Sequence, residues 1–307
     1  MQSIQAPGAV VMIRPQRFHP NPETTADNAF QRSRGDASSA ATRRAARDEV
    51  SAAAAALEQA GVRVHVFDDD GERATPDSVF PNNWFSTHRG GRIALYPMHA
   101  PSRRRERRAD VIEMLKAEYR VQDVIDYSGL EHDGLFLEGT GAMVLDHLAN
   151  VAYCARSQRA DPVALERFCT HFNFEPIAFT TADASGRAVY HTNVMMCVAT
   201  EFALVGLELI ADPKRRAEVR ARLEESGRMV IALDPRQIGE FAGNALELSG
   251  ANGRVLALSA RAAASLRPAQ RAIIERGARL LPLAVPTIEL AGGSMRCMLA
   301  GIHLARR

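Results

Sequence analysis

Short apolar runs alternate with amphipathic or charged segments along the whole chain. Val10-Val11-Met12-Ile13 reads as a buried strand ending at Arg14-Pro15, and residues 19–37, rich in Pro, Asn, Asp and Gly, as a loop placed to cover a site. Ser38-Ser39 caps a predicted helix through the alanine run 52–56, which Gly61 closes. Val62 to Phe67 alternates like a strand. Further strands are expected at Arg92–Tyr96, Val121–Ile125, Ala142–Leu145, Asn150–Cys154, near Ile177 and Val189, and at Val194–Val198, Phe202–Leu207 and Met229–Leu233. The last strands fall near Leu246, at Val255–Leu258 and at Leu280–Val285. Helices are expected from Pro101 through the basic run to Arg108, after Asp161, over Pro213–Glu225 and after Ala260. With no Pro- or Ser-rich linker, this alternation predicts one α/β domain over residues 1–307. Strand–strand–helix units recur at loosely similar length without a clean sequence repeat.

Composition narrows the class. The 307 residues are 46% hydrophobic and 24% charged, with a net charge of +2. That is a globular balance, too weakly basic to imply nucleic acid by itself. No apolar run reaches the ~18–20 residues of a membrane span, and the first residues lack the pattern of a signal peptide. Four cysteines without a C-x-x-C pair are neither a disulfide framework nor a zinc site, so a reduced, cytoplasmic setting is expected.

Candidate chemistry centres on Gly292-Gly293-Ser294-Met295-Arg296-Cys297. The glycines permit a tight turn, and a fixed positive charge beside a thiol favours its nucleophilic thiolate. Upstream, Pro76-Asp77-Ser78-Val79-Phe80-Pro81-Asn82-Asn83-Trp84 sets an acid and two amides around apolar residues. Leu137-Glu138-Gly139-Thr140-Gly141 places a carboxylate at a strand end. Ser157-Gln158-Arg159 offers an arginine able to hold a carboxylate bidentately, and Val189-Tyr190-His191-Thr192-Asn193 offers an imidazole. Each motif alone has an ordinary structural explanation. Together they supply the inventory for covalent cysteine chemistry on a polar small molecule.

This set, in this order and over essentially the whole chain, resembles the pentein superfamily of guanidine-modifying enzymes. Arginine deiminases, dimethylarginine dimethylaminohydrolases and amidinotransferases belong to it, and the chain looks most similar to the amidinotransferase-like hydrolases associated with citrulline utilisation. The resemblance implies a five-bladed α/β propeller. It implies Cys297 as nucleophile, His191 as general acid/base and Glu138 as the acid beside them. Asp77 falls on a substrate-binding acid and Arg159 on the arginine that grips the amino acid carboxylate. Arg103-Arg104-x-Glu106 is similar to another substrate-holding motif, with either arginine able to make the contact.

Two departures bear on the substrate. Asn83 stands where deiminases and dimethylargininases place an acid, and Asn193 stands in His-x-Asn where arginine deiminases have His-x-Asp. A guanidinium has only donors and a permanent charge, whereas a ureido group offers a carbonyl acceptor as well. An amide can match both, so the expected substrate is L-citrulline, cleaved at a ureido C–N bond to ornithine, CO₂ and ammonia through an S-carbamoyl enzyme. The alternative is a guanidino-modifying enzyme: a deiminase, dimethylaminohydrolase or amidinotransferase. The expected partner is a small amino acid, without nucleic acid, membrane, metal or cofactor; homo-oligomerisation is left open.

Overall fold

Ala9–Pro15 pairs in parallel with Arg63–Asp69 and antiparallel with Ala300–Gly301, so a sheet near the start of the chain takes its third strand from near the end. Four more three-stranded sheets repeat this plan. In each, a first strand pairs antiparallel with a second, and the second pairs in parallel with a third reached through a helix. The first strands are Phe85–His88, Met143–Asp146, Met196–Val198 and Leu246–Gly250. Their parallel pairs are Arg92–Leu95 with Asp123–Asp126, Val151–Ala155 with Glu175–Phe179, Phe202–Val205 with Met229–Ala232, and Gly253–Ser259 with Arg279–Leu283. The chain is thus a five-bladed α/β propeller, here a computed structural model that describes residues 4–32 and 39–307.

Local sequence explains most of the elements. Asp161, Asp212 and Asp234 each cap a helix whose next residue is Pro, where the missing N–H is not needed. Ser39 caps helix Ala40–Gln59, accepting from Thr42 N; Ser38, also expected in this cap, lies outside the described residues. The first strands of the middle three sheets are buried along their length, and polar residues within them are hydrogen-bonded, Ser86 to His88 and Tyr96 and Asp146 to Arg228.

Two elements differ from expectation. Val189 is not in a strand: its N–H donates to the Thr181 hydroxyl at 2.9 Å instead of joining a ladder. The basic helix stops at Arg104 and a separate one begins at Ala109. Its arginines fold back to bond carbonyl groups: Arg104 to Met98 and His99, Arg105 to Arg73 and Ala74, and Arg107 to Tyr96. The basic run therefore stitches loops together rather than presenting one charged helical face.

Candidate active site

The turn leading into the first strand of each sheet carries a polar side chain into one cluster, with Glu138 and Asn244 joined to it through His191 and Cys297. Pro81–Asn83 precedes Phe85, Glu138 starts the short helix before Met143, and His191 and Asn193 flank Thr192 before Met196. Asn244 lies two residues before Leu246, and Cys297 lies in the turn Met295–Met298 before Ala300. The repeated plan delivers one group or pair per blade. Cys297, His191, Arg103, Arg159, Asp77 and Asn83 all line a cavity of about 10 Å³, room for roughly one water molecule.

Glycines make the close approach feasible. A Cβ on Gly141 would sit 2.0 Å from the Asn83 amide and 2.9 Å from His191 Nδ1. Gly292 adopts φ of 81°, and a Cβ on Gly293 would fall 2.6 Å from the Phe80 ring.

Two amides meet the cysteine sulfur. Asn193 Nδ2 lies 3.3 Å and Asn244 Nδ2 3.2 Å from Cys297 Sγ. The Asn244 amide is oriented by its other contacts: Oδ1 accepts from Arg296 N at 3.0 Å and Nδ2 also donates to Asn193 O at 2.9 Å. Asn244 was not singled out from the sequence. The Arg296 side chain lines a separate cavity, so Asn193 and Asn244, rather than its guanidinium, are the hydrogen-bonding side chains at the sulfur.

His191 Nε2 is 2.8 Å from Glu138 Oε2. Burial lowers the His191 pKa to about 4, with the Glu138 hydrogen bond opposing that shift and Arg159 and Arg103 adding to it. The neutral ring donates Nε2–H to the carboxylate and leaves Nδ1 as the acceptor. For Glu138 desolvation pushes upward, but Arg159, the His191 hydrogen bond and Arg103 together hold the carboxyl well below the usual range. Arg103 Nη1 lies 3.4 Å and Arg159 Nη1 3.6 Å from the same oxygen.

Arg103 is held bidentately by Glu106, at 2.9 and 3.0 Å, and is 3.9 Å from Asp77. With its amide oxygen turned inward, Asn83 accepts from Arg103 Nη1 and Nη2 at 3.0 and 2.9 Å and donates to Asn82 at 3.2 Å. Arg103 is therefore the arginine at the site; Arg104 points to backbone carbonyl groups and Glu131. Asp77 Oδ2 accepts from Asn21 at 2.9 Å, while its buried Oδ1 has no partner among the described residues.

The loop over residues 19–32 closes the cavity. Arg159 Nε and Nη2 reach Asp27 at 2.7 and 2.5 Å, and its guanidinium lies over the Tyr190 ring. Asn28 lines the cavity and donates to Ala291 O. Asp27 and Asn21 also escaped the sequence reading, because a loop without periodicity does not reveal which side chains turn inward. The other cysteines, Cys154, Cys169 and Cys197, are buried, and desolvation pushes each thiol up to about 12.

The family profile described as "N,N dimethylarginine dimethylhydrolase, eukaryotic" matches residues 14–304. No curated protein sequence matches the chain. Among solved structures, the N-terminal domain of ArgZ, bound to substrate, an arginine dihydrolase from the ornithine–ammonia cycle in cyanobacteria, aligns with a TM-score of 0.74 at 14% identity. It covers 96% of this chain and 97% of that domain. AgrE in ternary complex with ornithine and NAD⁺ aligns at 0.74 and 16% identity, over 97% of this chain but only 40% of the longer protein. A dimethylarginine dimethylaminohydrolase adduct with 4-chloro-2-hydroxymethylpyridine aligns at 0.65 and 15% identity, over 97% and 99% of the two chains.

Proposed function

This chain belongs to the N,N dimethylarginine dimethylhydrolase family of the pentein superfamily, and from that premise we propose that it is a cysteine hydrolase of L-citrulline, with residues 1–307 one catalytic domain. The observation that carries the reading is the pair of neutral amides, Asn193 and Asn244, at the Cys297 sulfur. The nearby carboxylates Glu138 and Glu106 are already matched to Arg103, Arg159 or His191. A neutral ureido group finds both donors and acceptors there without needing an unpaired acid to balance it.

In the first half-reaction Cys297 sulfur attacks the ureido carbon while its proton passes to His191. The tetrahedral intermediate collapses as the imidazolium protonates the δ-nitrogen; ornithine leaves and the carbamoyl group stays on sulfur. His191 then takes a proton from water, the hydroxide adds to the thiocarbamate carbon, and the C–S bond breaks as the proton returns to sulfur. Carbamate is released and decomposes to CO₂ and ammonia. Glu138 orients the imidazole and accepts from ureido N–H groups, Asp77, Asn83 and Arg103 hold the same end, and Arg159 grips the α-carboxylate. The chemistry needs no metal or cofactor, and a reduced cytoplasm suits an enzyme with a free thiol.

A second reading has its own observation. The unpartnered Asp77 Oδ1 suits a cationic guanidinium, so arginine or a methylated arginine is the competing substrate. Incubation with citrulline, arginine, methylated arginines and agmatine, assaying ornithine, citrulline and ammonia together, separates the two. Ornithine and ammonia from citrulline support the first; turnover confined to guanidino compounds supports the second.

A further inference from the structure

A second internal cavity, of about 40 Å³, lies beyond the turn that carries Cys297. Gln5, Thr87, His147, Cys197, Arg296 and His303 contribute polar groups to its wall, and no carboxylate lines it among the described residues. Arg296 is only 8% exposed, and its Nε has no partner. It forms no ion pair among the described residues, in contrast to Arg103, Arg159 and Arg228. Glu247 lies near Cys197 but is engaged by Thr200 and Arg254.

A guanidinium does not lose its proton in a protein, so burial cannot remove this charge. Water can fill the space but cannot neutralise it, and buried charges are ordinarily paired. The His147 and His303 rings stack at 4.0 Å on the wall. Desolvation holds both below their ordinary range, His303 at about 4, so each is neutral with one N–H; that of His303 is engaged by the Ile4 backbone, which leaves the His147 N–H to offer. His303 also faces an outer groove lined by Arg63, Arg89 and Arg306, a positive approach to the interior.

We propose that this cavity is a binding site for one small monovalent inorganic anion, a halide or a planar oxyanion such as bicarbonate, held by Arg296 with His147 beside it. At ~10–15 Å³ per water-sized occupant, it admits such an ion but not a larger organic anion. The site is independent of the reaction proposed above.

The test uses sodium bromide, and separately sodium bicarbonate, titrated at constant ionic strength against sodium isethionate. Binding to the folded state alone raises Tm saturably, by about 2–4 °C at tenfold Kd for a chain of this size. Wild type is expected to show this rise with at least one of the two ions, and Arg296→Met to lose it. In case the variant does not fold, bromide-soaked wild-type crystals at the bromine edge give a second readout. An anomalous peak beside the Arg296 guanidinium supports the site. No saturable rise in wild type, an undiminished rise in Arg296→Met, or bromide only elsewhere would overturn it.

Discussion

Glu138 and His191 form a buried pair 2.8 Å apart in which the carboxylate also faces two arginines. With the imidazole lowered to about 4, its neutral, proton-accepting form persists far below the ordinary histidine range. Protonation removes the base, so the acid limb of kcat/KM should fall near pH 4 and activity should stay level through pH 6.5. His191→Ala should lose at least ~10²–10⁴-fold in kcat. A limb centred near pH 6.5 would contradict the burial argument.

Asn244 aims a donor at the sulfur from 3.2 Å, and its orientation is fixed by Arg296 N. Asn244→Ala removes that donor and should lower kcat/KM by about tenfold, in line with ~1–3 kcal/mol for a buried hydrogen bond. Asn244→Asp places an anion against a developing thiolate and should lower it by ~10² or more. Alkylation of Cys297 by iodoacetamide should slow in the same order. Wild-type rates in both variants would remove Asn244 from the chemistry.

Asp27 fills the fork of Arg159 that the substrate carboxylate is proposed to use. Substrate must displace it, so Asp27→Asn should lower KM up to about tenfold with kcat within about twofold, since a hydrogen bond to a charged group is worth ~1.5–3 kcal/mol. A tenfold rise in KM would instead place Asp27 in contact with substrate.

Asn83 is the cleaner position for testing substrate charge, because Asn193 touches the sulfur itself. Asn83→Asp adds a carboxylate to the cavity wall and should move the citrulline-to-arginine ratio of kcat/KM about tenfold toward arginine. An unchanged ratio would mean that this amide does not read the substrate.

Much of this was legible in the chain. Alternating apolar runs gave the α/β plan, and Cys297, His191, Asp77, Asn83, Arg103 and Arg159 do meet at one cavity, with Glu138 and Asn193 bonded to its members. Each lies beside a recognisable glycine, proline or aromatic motif. Asn244 was hidden because Gly243-Asn244 looks like an ordinary turn; only the five-fold plan shows it occupying the place that Glu138 and Cys297 hold in other blades. Asp27 and Asn21 act across long sequence separations from a loop without periodicity. Arg296 neighbours Cys297 in sequence, yet consecutive side chains in a turn can face opposite ways, and its guanidinium lines a different cavity.

The most direct measurement is acid quench of the enzyme during turnover of L-citrulline labelled with ¹³C at the ureido carbon, followed by peptide mass spectrometry. A labelled carbamoyl group on the Cys297 peptide, absent in Cys297→Ser, is the predicted result. Label on another residue, or no adduct and no ornithine from citrulline while arginine leaves an amidino group on Cys297, would contradict it.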